Sequence, residues 1–257
     1  MAIILGGGGS AEQTVITNKL FESLIDSSKP ILYVPLAWTH YDKDYQNCKK
    51  FLIGEFSKIE HGEIEVIQSA DEILGKNLFD YSAIFIGGGN TYKLLKELKD
   101  SGAFKKIKQY TDNGGIVYGG SAGAAIFGKD IDSILYMDVN NVGLKDTSGF
   151  NSLFGFGLTV HYTNQNEENH KKATEYLTKY SMREPIIALP EEDSLYTDGK
   201  VVKIVGTRPW YIFNKNKNRR LNPAVEYTRN DFINMVNLVG NVLEKPGHST
   251  TGKNRSF

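Results

Sequence analysis

The sequence predicts an α/β fold in which a mainly parallel sheet carries helices on both faces. Three observations lead there. Short apolar runs of strand length alternate with segments whose apolar residues recur at helical spacing. Three of those runs break into glycine-rich turns, Gly6-Gly7-Gly8-Gly9-Ser10, Gly87-Gly88-Gly89-Asn90-Thr91 and Gly119-Gly120-Ser121-Ala122-Gly123. Repeated strand and helix units of this length pack as a parallel sheet between helical layers, and such sheets bind ligands beyond the carboxyl ends of their strands. The 257 residues, 40% hydrophobic, suffice for a large core, so residues 1–244 are read as one domain and residues 245–257 as a polar, loose tail.

In chain order, residues 2–5 form a first strand, and Ile16, Leu20, Phe21, Leu24 and Ile25 then make a helical stripe. Gly6, Gly8 and Ala11 loosely echo a dinucleotide fingerprint. The second strand, residues 31–35, runs into Leu36-Ala37-Trp38 with no acidic residue for a ribose hydroxyl, so the first turn is read as glycine bringing the helix close to the sheet. A helix over residues 42–59 turns Tyr45, Cys48, Leu52 and Phe56 inward, and residues 65–68 make a third strand.

Residues 83–86 form a buried strand, after which Asn90 or Thr91 can cap the helix carrying Leu94, Leu95 and Leu98. A further helix over residues 103–111 leads to the strand, turn and helix around Ser121. Gly123-x4-Gly128-Lys129 falls one residue short of a phosphate-binding loop, with Asp130 where Ser or Thr is needed, and ATP is discounted. Residues 159–162 end another strand at His161, and a helix follows over residues 167–180. Residues 186–189 are a buried strand closing in Pro190-Glu191; residues 194–197 and 201–205 pair as a C-terminal β-hairpin across Asp198-Gly199; residues 210–213 add a strand and 232–243 a last helix.

Composition excludes several functions. Thirty basic and thirty acidic residues cancel, so no overall field draws the chain to nucleic acid or to an anionic membrane. Cys48 stands alone, which rules out an internal disulfide, and the start lacks a basic n-region and a long apolar run; both fit the cytoplasm.

The chemistry concentrates at Ser121. Gly119, Ser121 and Gly123 match G-x-S-x-G, the turn that exposes a serine hydroxyl above a strand end. A serine hydroxyl becomes a useful nucleophile only when a base takes its proton and a third group orients that base. Of five histidines only His161 directly ends a core strand; His40, His61, His170 and His248 fall in loops, helix surfaces or the tail. For the carboxylate, Glu191, Asp132 and Asp138 all remain open on position alone.

At these residues the chain resembles peptidase family S51, the aspartyl dipeptidase (peptidase E) and cyanophycinase family, whose fold is similar to that of class I glutamine amidotransferases. The resemblance rests on Gly87-Gly88-Gly89-Asn90-Thr91 with Leu94-Leu95, Gly119-Gly120-Ser121-Ala122-Gly123-Ala124, Gly149-Phe150 leading to His161-Tyr162, and Leu189-Pro190-Glu191, in family order. It implies Ser121 as nucleophile, His161 as general base and acid, Glu191 as the orienting carboxylate, and an oxyanion hole from the amides of Ala122, Gly88 and Gly89. The order Ser, His, Glu separates it from the α/β-hydrolases, which run Ser, acid, His.

One departure concerns specificity. Aspartyl dipeptidase has an arginine after its catalytic histidine, whereas this chain reads Asn164-Gln165-Asn166-Glu167-Glu168-Asn169-His170-Lys171-Lys172. The two glutamates disfavour an acidic substrate side chain.

The expectation is a cytoplasmic serine-type dipeptidase or exopeptidase, acting near a free N-terminus of a small peptide through an acyl-enzyme, with no metal or cofactor and with a homodimer as an allowed assembly. A catalytically silent relative binding a small ligand or partner in the same cleft, or an amidase, are the alternatives; the amidase reading usually requires cysteine where Ser121 stands.

Overall fold

The computed structural model describes residues 1–38, 45–163, 166–223 and 225–241. The expected tail over 245–257, His40 and His248, and the link Asn164-Gln165 lie outside the described residues. The elements are β1 (Ala2–Gly6), α1 (Val15–Glu22), β2 (Ile31–Val34), α2 (Tyr45–Glu55), β3 (Ile64–Val66), α3 (Ala70–Gly75), β4 (Ala83–Ile86), α4 (Thr91–Ser101), α5 (Ala103–Asp112), β5 (Ile116–Gly120) and α6 (Ala122–Ala125). There follow β6 (Gly157–Thr159), α7 (Glu167–Tyr180), β7 (Ile186–Ala188), β8 (Ser194–Thr197), β9 (Val201–Val205), β10 (Trp210–Asn214), β11 (Lys217–Leu221), β12 (Glu226–Thr228) and α8 (Arg229–Asn241).

The larger sheet runs β12-β9-β8-β1-β5-β4-β2-β3. Its β1-β5-β4-β2-β3 portion is parallel, while β8, β9 and β12 extend it antiparallel. Alternation along each strand sends residues to opposite faces. Ile3, Leu5 and Val117 face one core with α4 and α5, whereas Ile4, Tyr118 and Phe85 face another with Phe21 of α1 and Cys48, Leu52 and Phe56 around α2. Cys48 is thus core packing, as its position on the helix implied.

Sequence patterning did not foresee a second sheet, β11-β10-β7-β6, in which β6 and β7 are parallel. The strands preceding His161 and Glu191 therefore belong to this smaller sheet, packed under α7 through Ala173, Leu177 and Phe213.

Two local readings change. Ile16 points outward and the buried face of α1 is Thr17, Asn18 and Phe21, because Thr17 bonds the Ser194 hydroxyl (2.9 Å) and Asn18 donates to the Glu55 carbonyl (3.0 Å). The helix after Ser121 is one turn long, and beyond it Lys129 N–H donates to the carbonyl of Phe156, the residue before β6 (2.9 Å).

Candidate active site

Turns from the two sheets converge where the strands end. Ser121 follows β5 with φ 52° and ψ −113°, a conformation L-residues rarely adopt and one that must be held by its surroundings. Its N–H donates to the Gly6 carbonyl (3.1 Å), and its carbonyl accepts from the Ala124 and Ala125 N–H groups (2.9 Å each). Gly123 lies so close to the Ile86 main chain that a Cβ there would overlap the Ile86 carbonyl, which accounts for the last glycine of the motif.

His161 also has positive φ, 55°, and its N–H donates to the Gly7 carbonyl (3.1 Å). The Ser121 Oγ is 2.8 Å from His161 Nε2, and His161 Nδ1 is 2.7 Å from Glu191 Oε1. A carboxylate can only accept, so Nδ1 carries the proton and Nε2 is left to accept from the serine hydroxyl. Serine, imidazole and carboxylate, 40 and 30 residues apart, form one hydrogen-bonded chain.

The other candidates are engaged elsewhere. Asp132 Oδ1 accepts from the Tyr92 hydroxyl (3.0 Å), and Asp138 Oδ2 accepts from the Thr91 N–H at the start of α4 (2.7 Å). His61 Nδ1 sits against the Gly62 carbonyl and His170 Nδ1 against the Tyr162 carbonyl. Of the three carboxylates that position left open, Glu191 is the one hydrogen-bonded to His161.

The first glycine turn has a different use from the one expected. Gly7 N–H donates to the Asp193 carbonyl (2.9 Å) and Gly9 N–H to the Glu191 carbonyl (3.0 Å). At Gly8, φ is 104° and a Cβ would fall inside the His161 imidazole. The turn therefore seats the histidine and its carboxylate; four glycines at a strand end were the available signal, read as helix packing. Gln13 braces the same loop, accepting from Ser10 N–H (2.9 Å) and donating a long bond to Glu191 Oε2 (3.5 Å).

Gly88 stands beside the serine, where a Cβ would lie 3.1 Å from the Ser121 Cβ. Gly89, with φ 134°, is pressed against the Ala37 carbonyl, and Asn90 N–H donates to that carbonyl (2.8 Å). Ala122 opens α6, where a backbone N–H has no intrahelical acceptor.

Comparison with known proteins decides the family. The model of peptidase family S51 matches residues 2–205. The chain belongs to peptidase family S51. It is similar to peptidase E of Shewanella denitrificans, 30% identical over 203 residues covering 76% of this chain and 82% of that one. It is likewise similar to peptidase E of Haemophilus influenzae strain PittGG, 27% identical over 202 residues covering 73% and 80%. A crystal structure of a peptidase from an acI-B1 Actinobacterium superposes with a TM-score of 0.69 at 17% identity, covering 88% of this chain and 96% of that one, and shares the fold. This chain is thus a family S51 hydrolase of the peptidase E kind.

In this S51 peptidase a cavity of about 270 Å³ opens onto Ser121 and His161. Its walls include Trp38, Phe51, Phe56, Phe85 and Tyr118, with Glu55 the carboxylate among them. Burial pushes the Glu55 carboxyl above the ordinary range, opposed by a bond from the Ala11 N–H, and the nearby Glu12 adds to the rise. Sequence reasoning missed Glu55, since the cavity gathers residues from α1, α2, β4 and β5 that no spacing connects. In the segment after His161, Lys172 pairs with Glu168 (2.6 Å), both exposed, so this lysine is a helix-surface charge. Among the described residues no cluster of His, Cys, Asp or Glu is arranged to hold a metal ion, and no helix is long and apolar enough to cross a membrane.

Proposed function

We propose that the chain is a serine-type peptidase that hydrolyses a peptide bond near the free N-terminus of a small peptide. The observation that carries this reading is the unbroken chain Ser121 Oγ, His161 Nε2, His161 Nδ1, Glu191 Oε1, at 2.8 and 2.7 Å. Ser121 attacks the scissile carbonyl carbon while His161 Nε2 takes its proton. Charge then develops on the carbonyl oxygen, and the N–H groups of Ala122 and the Gly88-Gly89 turn donate to it. His161 passes the proton to the departing amine, leaving an acyl-enzyme. Water attacks the acyl carbon, gives its proton to His161 Nε2, and the proton returns to Ser121 Oγ as the acid product leaves. Glu191 holds the Nδ1–H tautomer and offsets the imidazolium charge without itself taking the proton.

The setting of this activity is proposed to be the cytoplasm, supported by the single buried cysteine. Replacing Ser121 by alanine should lower kcat/KM on a dipeptide panel by about 10⁴-fold or more, with unfolding behaviour retained. Hydrolysis by Ser121→Ala at the parent's rate would refute the reading.

A further inference from the structure

The geometry points to a cation as the substrate group that the Glu55 cavity receives: an ammonium or guanidinium carried by the residue at the scissile bond, rather than the acidic side chain of an aspartyl peptide. This rests on the proposed serine peptidase reading for its chemistry, although its binding test does not depend on turnover.

Three features of the cavity agree. Its one carboxylate, Glu55, is withdrawn from solvent far enough for burial to disfavour its charge. Among the described residues Glu55 makes no ion pair and the cavity walls hold no lysine or arginine. A charge so placed gains most from a partner brought by a ligand, because the surrounding protein screens less than water.

The aromatic walls favour the same sign. Ring faces carry partial negative charge and attract ammonium and guanidinium groups, more strongly with water excluded. Trp38 and Phe51 meet edge to face at 6.3 Å between ring centres and leave large exposed surfaces at the cavity mouth, suited to the methylene stem of a long cationic side chain. Behind them, Asn18 is already engaged: its Nδ2 donates to Thr14 Oγ1 (3.2 Å) and the Glu55 carbonyl, and its Oδ1 accepts from the Tyr118 hydroxyl (3.3 Å). The fixed amide leaves Glu55 as the group that chooses the ligand's charge. Glu12, exposed and close enough to act on Glu55, adds negative potential; the neighbouring Lys58 acts on Glu12. An aspartate side chain would meet like charge here, consistent with the lack of an arginine in the sequence from Asn164 to Lys172 that follows His161.

The cation could come from a lysine or arginine side chain or from the peptide's own α-ammonium group, and calorimetry separates them. On the Ser121→Ala protein, binding of Lys-Leu and Arg-Leu is compared with norleucine-Leu and Asp-Leu, and each dipeptide with its N-acetyl form. A side-chain cation predicts about tenfold or greater preference for Lys-Leu or Arg-Leu over norleucine-Leu; an α-ammonium predicts a similar loss on acetylation. In either case Ser121→Ala/Glu55→Gln should bring the ratio towards one. Ratios near one in both arms, discrimination that survives Glu55→Gln, or preferred binding of Asp-Leu overturns the inference. Because the calorimetry reads binding and not turnover, failure here differs from failure of the peptidase reading, which appears as hydrolysis that does not need Ser121.

Discussion

In the proposed mechanism Glu191 acts through one atom. Its Oε1 receives the His161 Nδ1 proton at 2.7 Å, and that bond decides which imidazole nitrogen faces Ser121. Replacing Glu191 with glutamine keeps the shape but places an amide that can donate to Nδ1, favouring the tautomer with its proton on Nε2. The expected loss is about 10³–10⁴-fold in kcat, with little change in KM; a loss below tenfold would remove Glu191 from the mechanism. At this scale the sequence was legible wherever local geometry constrains residue type. Gly123 must be glycine because the Ile86 carbonyl occupies the space of a Cβ, so the turn that carries Ser121 has its own signature. Glu191 could not be chosen from Asp132 and Asp138 by position. Their separate hydrogen bonds to Tyr92 and to the Thr91 N–H become visible only once distant segments are packed together.

Strands and helices show the same division between local and distant causes. β4, α7, β8 and β9 carry the boundaries read from apolar runs and turn residues, since strand alternation and helical periodicity are properties of neighbouring positions. β11 was missed because Lys217-Asn218-Arg219-Arg220-Leu221 has no alternation, and its hairpin with β10 turns through Lys215 and Asn216, at φ 49° and 61°, where glycine is the usual signal. The segment joining α7 to β7 holds a further consequence. Glu184 is buried against Gly157 of β6, its Oε1 has no hydrogen-bond partner, and Lys129 approaches Oε2 only to 3.5 Å. Burial, reinforced by Asp130, pushes its carboxyl from 4.5 up to about 7. The folded chain then holds this proton more tightly than the unfolded chain, so the contribution to stability falls as pH rises from about 4.5 through about 7. Glu184→Gln should therefore raise Tm at pH 8 and leave it nearly unchanged at pH 4.5. An equal shift at both pH values would show that the charge is not the cause.

Across the whole molecule, two sheets supply one site. The parallel sheet brings the Gly6–Gly9 turn, the Gly88-Gly89 turn and Ser121 to its carboxyl edge, while the smaller sheet contributes His161 and Glu191 beyond β6 and β7. Gly9 N–H to Glu191 and His161 N–H to Gly7 tie the turn after β1 of the larger sheet to the segments after β7 and β6 of the smaller one, and so fix His161 relative to Ser121, while Gly7 N–H to Asp193 continues the β1–β8 pairing. The α/β class could be read from the sequence because each strand and helix announces itself; the division into two sheets could not, because pairing partners such as β6 with β7 lie 29 residues apart at Gly157 and Ile186. The central claim is that this assembly makes Ser121 a nucleophile, and covalent labelling tests it most directly. Parent, Ser121→Ala and His161→Ala proteins are treated with a serine-directed phosphonate and the adduct is located by peptide mass spectrometry. The account predicts one adduct in the parent, on Ser121, absent from Ser121→Ala and formed far more slowly in His161→Ala; an unlabelled parent, or an adduct on another residue, would contradict it.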